Sequence, residues 1–125
     1  MATVDLTEAN FSEIIENNNI VIIDFWAPWC GPCQSFAPIY EKTAEQYPDI
    51  VFGKVNTEDE QALAGQFQIR SIPTLIIIKE NIAVFQQPGV IPEEGIKDVL
   101  RQVQELDMDM VRKEVEKQQQ AENAQ

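Results

Sequence analysis

The chain has 125 residues, which is enough for one domain with a hydrophobic core of its own. Hydrophobic residues make up 44% and charged residues 24%, a composition typical of a globular fold rather than a disordered or fibrous one. The 21 acidic and 9 basic residues give a net charge of −12, which argues against binding to nucleic acid or to anionic lipid.

Two cysteines and no histidine further narrow the possible chemistry. A disulfide framework, a histidine general base and a complete zinc site within one chain are all hard to build from this set. The first residues lack a basic segment followed by an apolar one, and the longest apolar runs are much shorter than a membrane span. We therefore expect a cytoplasmic protein with no membrane segment, and the two cysteines become the first candidates for chemistry.

The first half of the chain alternates helix and strand patterns. Residues 7–17 predict a helix, with Thr7 or Asp5 as the candidate cap and apolar side chains at helical spacing. The run Ile20–Trp26 is almost continuously apolar, which predicts a central strand covered on both faces. Residues 33–47 predict a second helix, which Pro38 should bend because it removes one backbone donor.

The second half predicts three more strands and two more helices. The strands fall at residues 50–55, Thr74–Lys79 and 83–87, with a short helix at 59–67 and a last amphipathic helix ending near residue 106. Asn81 lies in the turn between the last two strands and tolerates a left-handed conformation. The order predicts an α/β fold with parallel crossover units and an antiparallel addition to the same sheet.

A polar extension follows the last predicted helix. Met110, Val111 and Val115 continue an apolar stripe among charged residues. A solvated helical overhang is the favoured interpretation, and a partner-binding or dimerising helix is the alternative. From Gln118 onward the sequence is polar and of low complexity, which predicts disorder.

The segment Trp29-Cys30-Gly31-Pro32-Cys33 follows a predicted strand and opens a predicted helix. Unpaired amides and the dipole at a helix N-terminus favour an anion, so Cys30 should be the exposed nucleophile and Cys33 the buried resolving thiol. Gly31 allows the two sulfurs to approach, and Pro32 stiffens the first turn, where no amide donor is needed. The alternatives are two inert core cysteines or half of a metal site shared between chains.

Asp24 is an acid in the middle of the apolar run Ile20–Trp26. Burial should raise the pKa of its carboxyl group, which suits it to exchange a proton with Cys33 through a water molecule. A purely structural acid, hydrogen-bonded in the core, is the alternative.

The cysteine motif belongs to a longer series that resembles the thioredoxin family. The run DFWAPWCGPC is followed by AP at 37–38, KVN at 54–56, IRSIPT at 69–74 and PG at 88–89, in the family's order and approximate spacing. The match covers about residues 3–106, so we take residues 1–107 as a thioredoxin domain and residues 108–125 as its extension. These motifs together are far more specific than the cysteine pair alone.

The resemblance implies a central mixed β-sheet flanked by helices on both faces, with a cis peptide bond between Ile72 and Pro73 beside the cysteines. The backbone of Pro73 would form a docking edge for an extended substrate. The resemblance also places Lys54 near Asp24 as a charge partner. The apolar collar around the docking edge would comprise Trp29, Gly31, Pro32, Ile72, Gly89 and Val90, with Trp26 in a packing role.

The function implied is reduction of disulfide-containing proteins by a monomer that binds no cofactor and is itself reduced by a thioredoxin-reductase-like donor. An oxidase or isomerase, a glutaredoxin, and a chaperone that uses the fold as a scaffold are the alternatives. Gln34 departs from the lysine that many thioredoxins carry at this position, so one cation is missing near the site.

Overall fold

A five-stranded β-sheet forms the centre of the protein in a computed structural model, which describes residues 2–123. The strands are β1 (Thr3–Asp5), β2 (Ile20–Trp26), β3 (Val51–Asn56), β4 (Thr74–Lys79) and β5 (Ile82–Pro88). The helices are α1 (Phe11–Asn17), α2 (Gly31–Ala44), α3 (Gln61–Gln66), α4 (Glu93–Glu105) and α5 (Met108–Asn123).

The strand order in the sheet is β1-β3-β2-β4-β5. Strands β1, β3 and β2 are parallel, whereas β4 runs antiparallel to β2 and β5 runs antiparallel to β4. The sheet is therefore mixed, and the apolar strands β2 and β4 lie in its middle, where both faces are covered.

Two hydrophobic cores lie on opposite faces of the sheet. One joins the even-numbered positions of β2 to side chains of α2 and α4, including Phe36, Tyr40 and Ile96. The other joins the odd-numbered positions of β2 to α1 and α3, through residues such as Phe11 and Leu63. The alternation of side chains along a strand explains the division, and it confirms the predicted sheet with helices on both faces.

The N-terminal region differs from the sequence prediction in two ways. Thr3–Asp5 adds a parallel edge strand that was not predicted, because three residues are too short for a pattern of alternation. The first helix begins at Phe11 and not at residue 7, since Thr7 and Asn10 form a turn in which each side chain accepts a hydrogen bond from the other's amide.

The turn between β4 and β5 has the left-handed backbone expected there. Glu80 and Asn81 have φ angles of 50° and 68°, and the ladder pairs Lys79 with Ile82 directly across them. No helix among residues 2–123 is long and apolar enough to cross a membrane.

The C-terminal extension is more ordered than predicted. Helix α5 continues through Gln118 to Asn123, which contradicts the expected disorder over that part, while residues 124 and 125 lie outside the described residues. Its last turns are rich in Glu, Lys, Gln and Ala, which are strong helix formers even where nothing packs against them. At its start, Met108 is buried, and Arg112 forms a salt bridge of 2.6 Å with Glu80.

Candidate active site

Cys30 and Cys33 meet at the N-terminus of α2 and are joined by a disulfide, with their Cα atoms 5.3 Å apart. Cys30 is the N-cap residue of the helix, and its Sγ accepts a hydrogen bond from the Cys33 amide at 3.3 Å. Gly31 and Pro32 form the first turn, where the missing amide of Pro32 leaves no gap in the helix hydrogen bonds. An anionic sulfur at Cys30 would thus face a free amide and the positive end of the helix dipole.

Cys30 is less exposed than predicted. In this disulfide form it is 5% exposed and Cys33 is 3% exposed, because both cysteines pack with Ala27 and against the side chains of Trp26 and Ile72. The Sγ atom of Cys30 also lies 3.7 Å from the carbonyl oxygen of Ile72. The expectation of an exposed Cys30 is therefore wrong for the oxidised protein.

Trp29 lies beside the cysteines with its side chain turned to solvent, at 68% exposure. Its indole N–H donates a hydrogen bond to the carboxylate of Glu58 in the loop between β3 and α3. That loop is fixed in turn, since Thr57 donates to the Trp26 carbonyl and the Glu58 amide donates to the side chain of Asn56. The indole of Trp29 is thus attached to a fixed loop.

The segments that contain Pro73 and Gly89 meet close to Cys30. The Ile72-Pro73 peptide bond is cis, and the Gly89 amide donates to the Pro73 carbonyl at 2.8 Å. Gly89 has a φ of 92°, a conformation that other residues rarely adopt. Val90 follows Gly89 and is exposed.

Asp24 is almost completely buried, at 1% exposure, and neither carboxylate oxygen has a hydrogen-bond partner among the described residues. Desolvation raises the pKa of its carboxyl group to about 7, although the positive charge of Lys54 opposes the rise. Asp24 follows Ile22 on the sheet face covered by α2, and Cys33 begins the stripe of that helix that continues through Phe36. The acid and the second cysteine therefore face the same interface.

The neighbours of Asp24 complete a small polar region in this core. Lys54 is its partner in the β2–β3 ladder, and the Lys54 ammonium lies 4.6 Å from the centre of the Trp26 ring. The hydroxyl of the fully buried Tyr40 lies 3.0 Å from the Ile22 carbonyl and 2.7 Å from that of Gly53. Burial, and then the charge of Asp24, raise the pKa of Tyr40 well above its ordinary range.

A comparison with family models matches residues 2–102 to the thioredoxin family. The chain belongs to the thioredoxin family. A Streptomyces coelicolor protein whose name places it among the thioredoxins is 56% identical over 118 residues, covering 94% of this chain and 88% of that protein. The thioredoxin of Alicyclobacillus acidocaldarius is 42% identical over 103 residues, covering 82% of this chain and 98% of its own.

Solved thioredoxin structures have the same fold. A mutant thioredoxin from Halobacterium salinarum superposes with a TM-score of 0.77 at 31% identity, covering 84% of this chain and 93% of its own. Thioredoxin from Plasmodium falciparum gives a TM-score of 0.74 at 33% identity, covering 80% and 98%. Family membership, together with a cysteine pair at disulfide distance, makes this chain a thiol–disulfide oxidoreductase.

Sequence patterns did not reveal two contacts at this site. Glu58 lies in an acidic loop, a pattern that predicts solvated surface. Only the fold brings its side chain to Trp29. Tyr40 lies four residues after Phe36 on the same face of α2, but helical spacing cannot show which groups its hydroxyl contacts.

Proposed function

We propose that this enzyme reduces protein disulfides through Cys30-Gly31-Pro32-Cys33, with Cys30 as nucleophile and Cys33 as resolving thiol. The observation that carries the proposal is the sulfur of Cys30 at the N-cap of α2, where it accepts the amide of Cys33. The same contact that holds this sulfur in the disulfide would stabilise its thiolate after reduction, and a stabilised thiolate is the reactive form.

The reaction proceeds by two exchanges. The Cys30 thiolate attacks one sulfur of the substrate disulfide, so that a mixed disulfide forms and the other substrate sulfur leaves as a thiolate. The Cys33 thiolate then attacks the Cys30 sulfur, which closes the Cys30–Cys33 disulfide and releases the second substrate thiolate. Two electrons pass to the substrate, and the enzyme is left oxidised.

Asp24 is proposed to take the proton from Cys33 through a water molecule in the second exchange. A carboxyl group with a pKa of about 7 is partly ionised at neutral pH, so it can accept a proton and return it. Its oxygens have no fixed hydrogen-bond partner among residues 2–123, which leaves them available for this exchange. Lys54 would support the ionised form by its positive charge.

Substrate docking is proposed along the backbone beside Cys30. The Pro73 carbonyl already accepts the Gly89 amide, so the acceptor offered to an extended substrate is the carbonyl of Ile72, which lies 3.7 Å from the Cys30 sulfur. The apolar walls around it would be supplied by Trp29, Gly31, Pro32, Ile72, Pro73, Gly89 and Val90.

The enzyme is proposed to act as a monomer in the cytoplasm and to be returned to the dithiol form by a thioredoxin reductase. Thioredoxins act on protein disulfides and are reduced by such enzymes, and the family relationship supports the same cycle here. A reducing compartment would keep the pair in its reactive form.

The test is reduction of a model protein disulfide with dithiothreitol or a thioredoxin reductase as electron source. The wild-type enzyme should accelerate the reaction, and a Cys30→Ser, Cys33→Ser double variant should not. Equal rates for the two proteins would reject the reductase and favour a chaperone that uses the fold as a scaffold.

A further inference from the structure

We propose that Arg70 makes the enzyme favour protein substrates that carry an acidic residue next to their disulfide. The inference rests on the proposed reductase function and names a substrate class for it. It follows from the distribution of positive charge over the domain and from two surface hollows that both include Arg70.

Among the described residues of the domain, Arg70 is an exposed cation whose side chain has no partner. Among residues 2–107, the remaining basic side chains each have a partner: Lys42 and Lys97 pair with Glu93, Arg101 pairs with Asp98, Lys54 lies over Trp26, and Lys79 is buried against carbonyl groups. Within the described residues, the Arg70 guanidinium has no ion pair, hydrogen bond or aromatic partner. In a chain of net charge −12, an unpaired guanidinium is available to a partner's carboxylate.

Two surface hollows share Arg70 and Ser71, the residues just before the docking backbone at Ile72 and Pro73. The first, of about 200 Å³, is bounded by Trp29 and Ile72, and the second, of about 300 Å³, is bounded by Thr74 and Pro88. Both include Arg70, and it is the only charged residue in either lining. A substrate segment that enters either hollow would therefore meet the positive charge of Arg70.

Glu58 does not line either hollow, and its carboxylate accepts the indole N–H of Trp29. A guanidinium pairs with a carboxylate through two parallel hydrogen bonds, which favours Glu or Asp on the substrate over a neutral residue. An exposed pair of this kind corresponds to a preference of about two- to fivefold.

The experiment uses three disulfide-containing peptides that differ only at the residue next to the cysteine, which is Glu, Gln or Lys. For the wild-type enzyme at physiological ionic strength, kcat/KM for the Glu peptide should exceed that for the Gln peptide by about two- to fivefold, and the Lys peptide should be the poorest. In Arg70→Gln the ratio of Glu to Gln peptide should fall to about one, and in Arg70→Glu the order should invert. At about 1 M salt the wild-type preference should weaken, because the Debye length then falls to about 3 Å.

Arg101→Gln is the matched control, because it makes the same change in net charge on α4, away from both hollows. It should keep the wild-type ratio. An unchanged ratio in Arg70→Gln, or an equal fall in Arg101→Gln, would overturn the inference. If the wild-type enzyme still reduced the neutral peptide, the proposed function would stand. Failure of the wild-type enzyme to reduce the neutral peptide would overturn both.

Discussion

Asp24 lowers the stability of the fold in the ionised form that is proposed to accept a proton during the reaction. The folded protein holds the carboxyl proton more tightly than the unfolded chain does, because burial raises the pKa from 3.8 to about 7. Folding therefore favours the protonated acid, and stability falls as the pH rises through this interval. Above pH 7 the buried carboxylate is ionised without a hydrogen-bond partner among the described residues.

Asp24→Asn should raise the free energy of unfolding and slow turnover. The gain in unfolding free energy should be close to zero near pH 4 and should reach roughly 3–4 kcal/mol above pH 7, where the wild type contains the buried charge. Turnover should be slower near neutral pH and should lose its inflection near pH 7. Urea unfolding and steady-state rates across the pH range measure the two effects.

Asp98→Asn provides the control for this change. Its carboxyl group is exposed and pairs with Arg101, which holds the pKa of Asp98 below its ordinary value, so it should show neither the gain at high pH nor the loss of turnover. If Asp24→Asn leaves the kinetics unchanged across the pH range, Asp24 is a structural residue only.

At the scale of elements, Lys79 connects the sheet to the end of α4. This lysine of β4 is buried, and its ammonium group donates to the carbonyls of Val103, Gln104 and Leu106 at 2.7, 3.3 and 3.4 Å. The last carbonyls of a helix have no partner within the helix, so a buried cation there satisfies them and complements the helix dipole.

Lys79→Met should lower the free energy of unfolding by about 1.5–3 kcal/mol, because the buried carbonyls at the end of α4 lose their charged donor. Lys97→Met is the matched control, since Lys97 pairs with carboxylates at the surface of the same helix and its loss should change stability by no more than about 0.5 kcal/mol. Chemical denaturation of both variants measures the difference. Equal effects would show that the contacts of Lys79 add nothing beyond its aliphatic chain.

Helix α5 is attached to the domain mainly at its first turns. Met108 is buried, Arg112 reaches Glu80, and the apolar side chains of Val111 and Val115 line a hollow over the start of β5. None of the residues proposed to carry the chemistry lies in this helix. We therefore expect residues 1–107 to carry the activity and the extension after residue 107 to be dispensable for it.

Truncation after Leu106 should leave disulfide reduction largely unchanged while lowering stability by about 1.5–3 kcal/mol through the loss of the buried Met108 side chain. Reduction assays and thermal unfolding followed by circular dichroism measure these two properties on the same preparation. A large loss of activity with an unchanged circular dichroism spectrum would show that the extension takes part in the reaction.

For the whole molecule, local patterns predicted most of the fold. The central strand Ile20–Trp26 and the strand Thr74–Lys79 have the predicted bounds, because a continuous apolar run has few other ways to be buried. The family motifs predicted the sheet architecture, and the cysteine spacing predicted the position of the disulfide at the start of α2.

The features that sequence missed depend on contacts between distant segments. The first helix begins later than predicted because Thr7 and Asn10 form hydrogen bonds with each other in a turn. Helical spacing alone does not reveal these bonds. The low exposure of Cys30 results from packing against Ile72, 42 residues away. In the same way, the charge of Arg70 is ordinary in the sequence and becomes informative only when both hollows are seen to meet there.

Trapping of the mixed disulfide tests most directly whether Cys30 is the nucleophile and Cys33 the resolving thiol. Each single variant, Cys33→Ser and Cys30→Ser, is incubated with a defined disulfide-bonded protein, and covalent adducts are compared on a non-reducing gel. Cys33→Ser should accumulate an adduct through Cys30, because the first attack proceeds and no second thiol resolves it. Cys30→Ser should form little adduct, since the Cys33 sulfur lies within the first turn of α2 and lacks the N-cap position at which the Cys30 sulfur accepts an amide. Equal trapping by the two variants, or trapping chiefly through Cys33, would contradict the account.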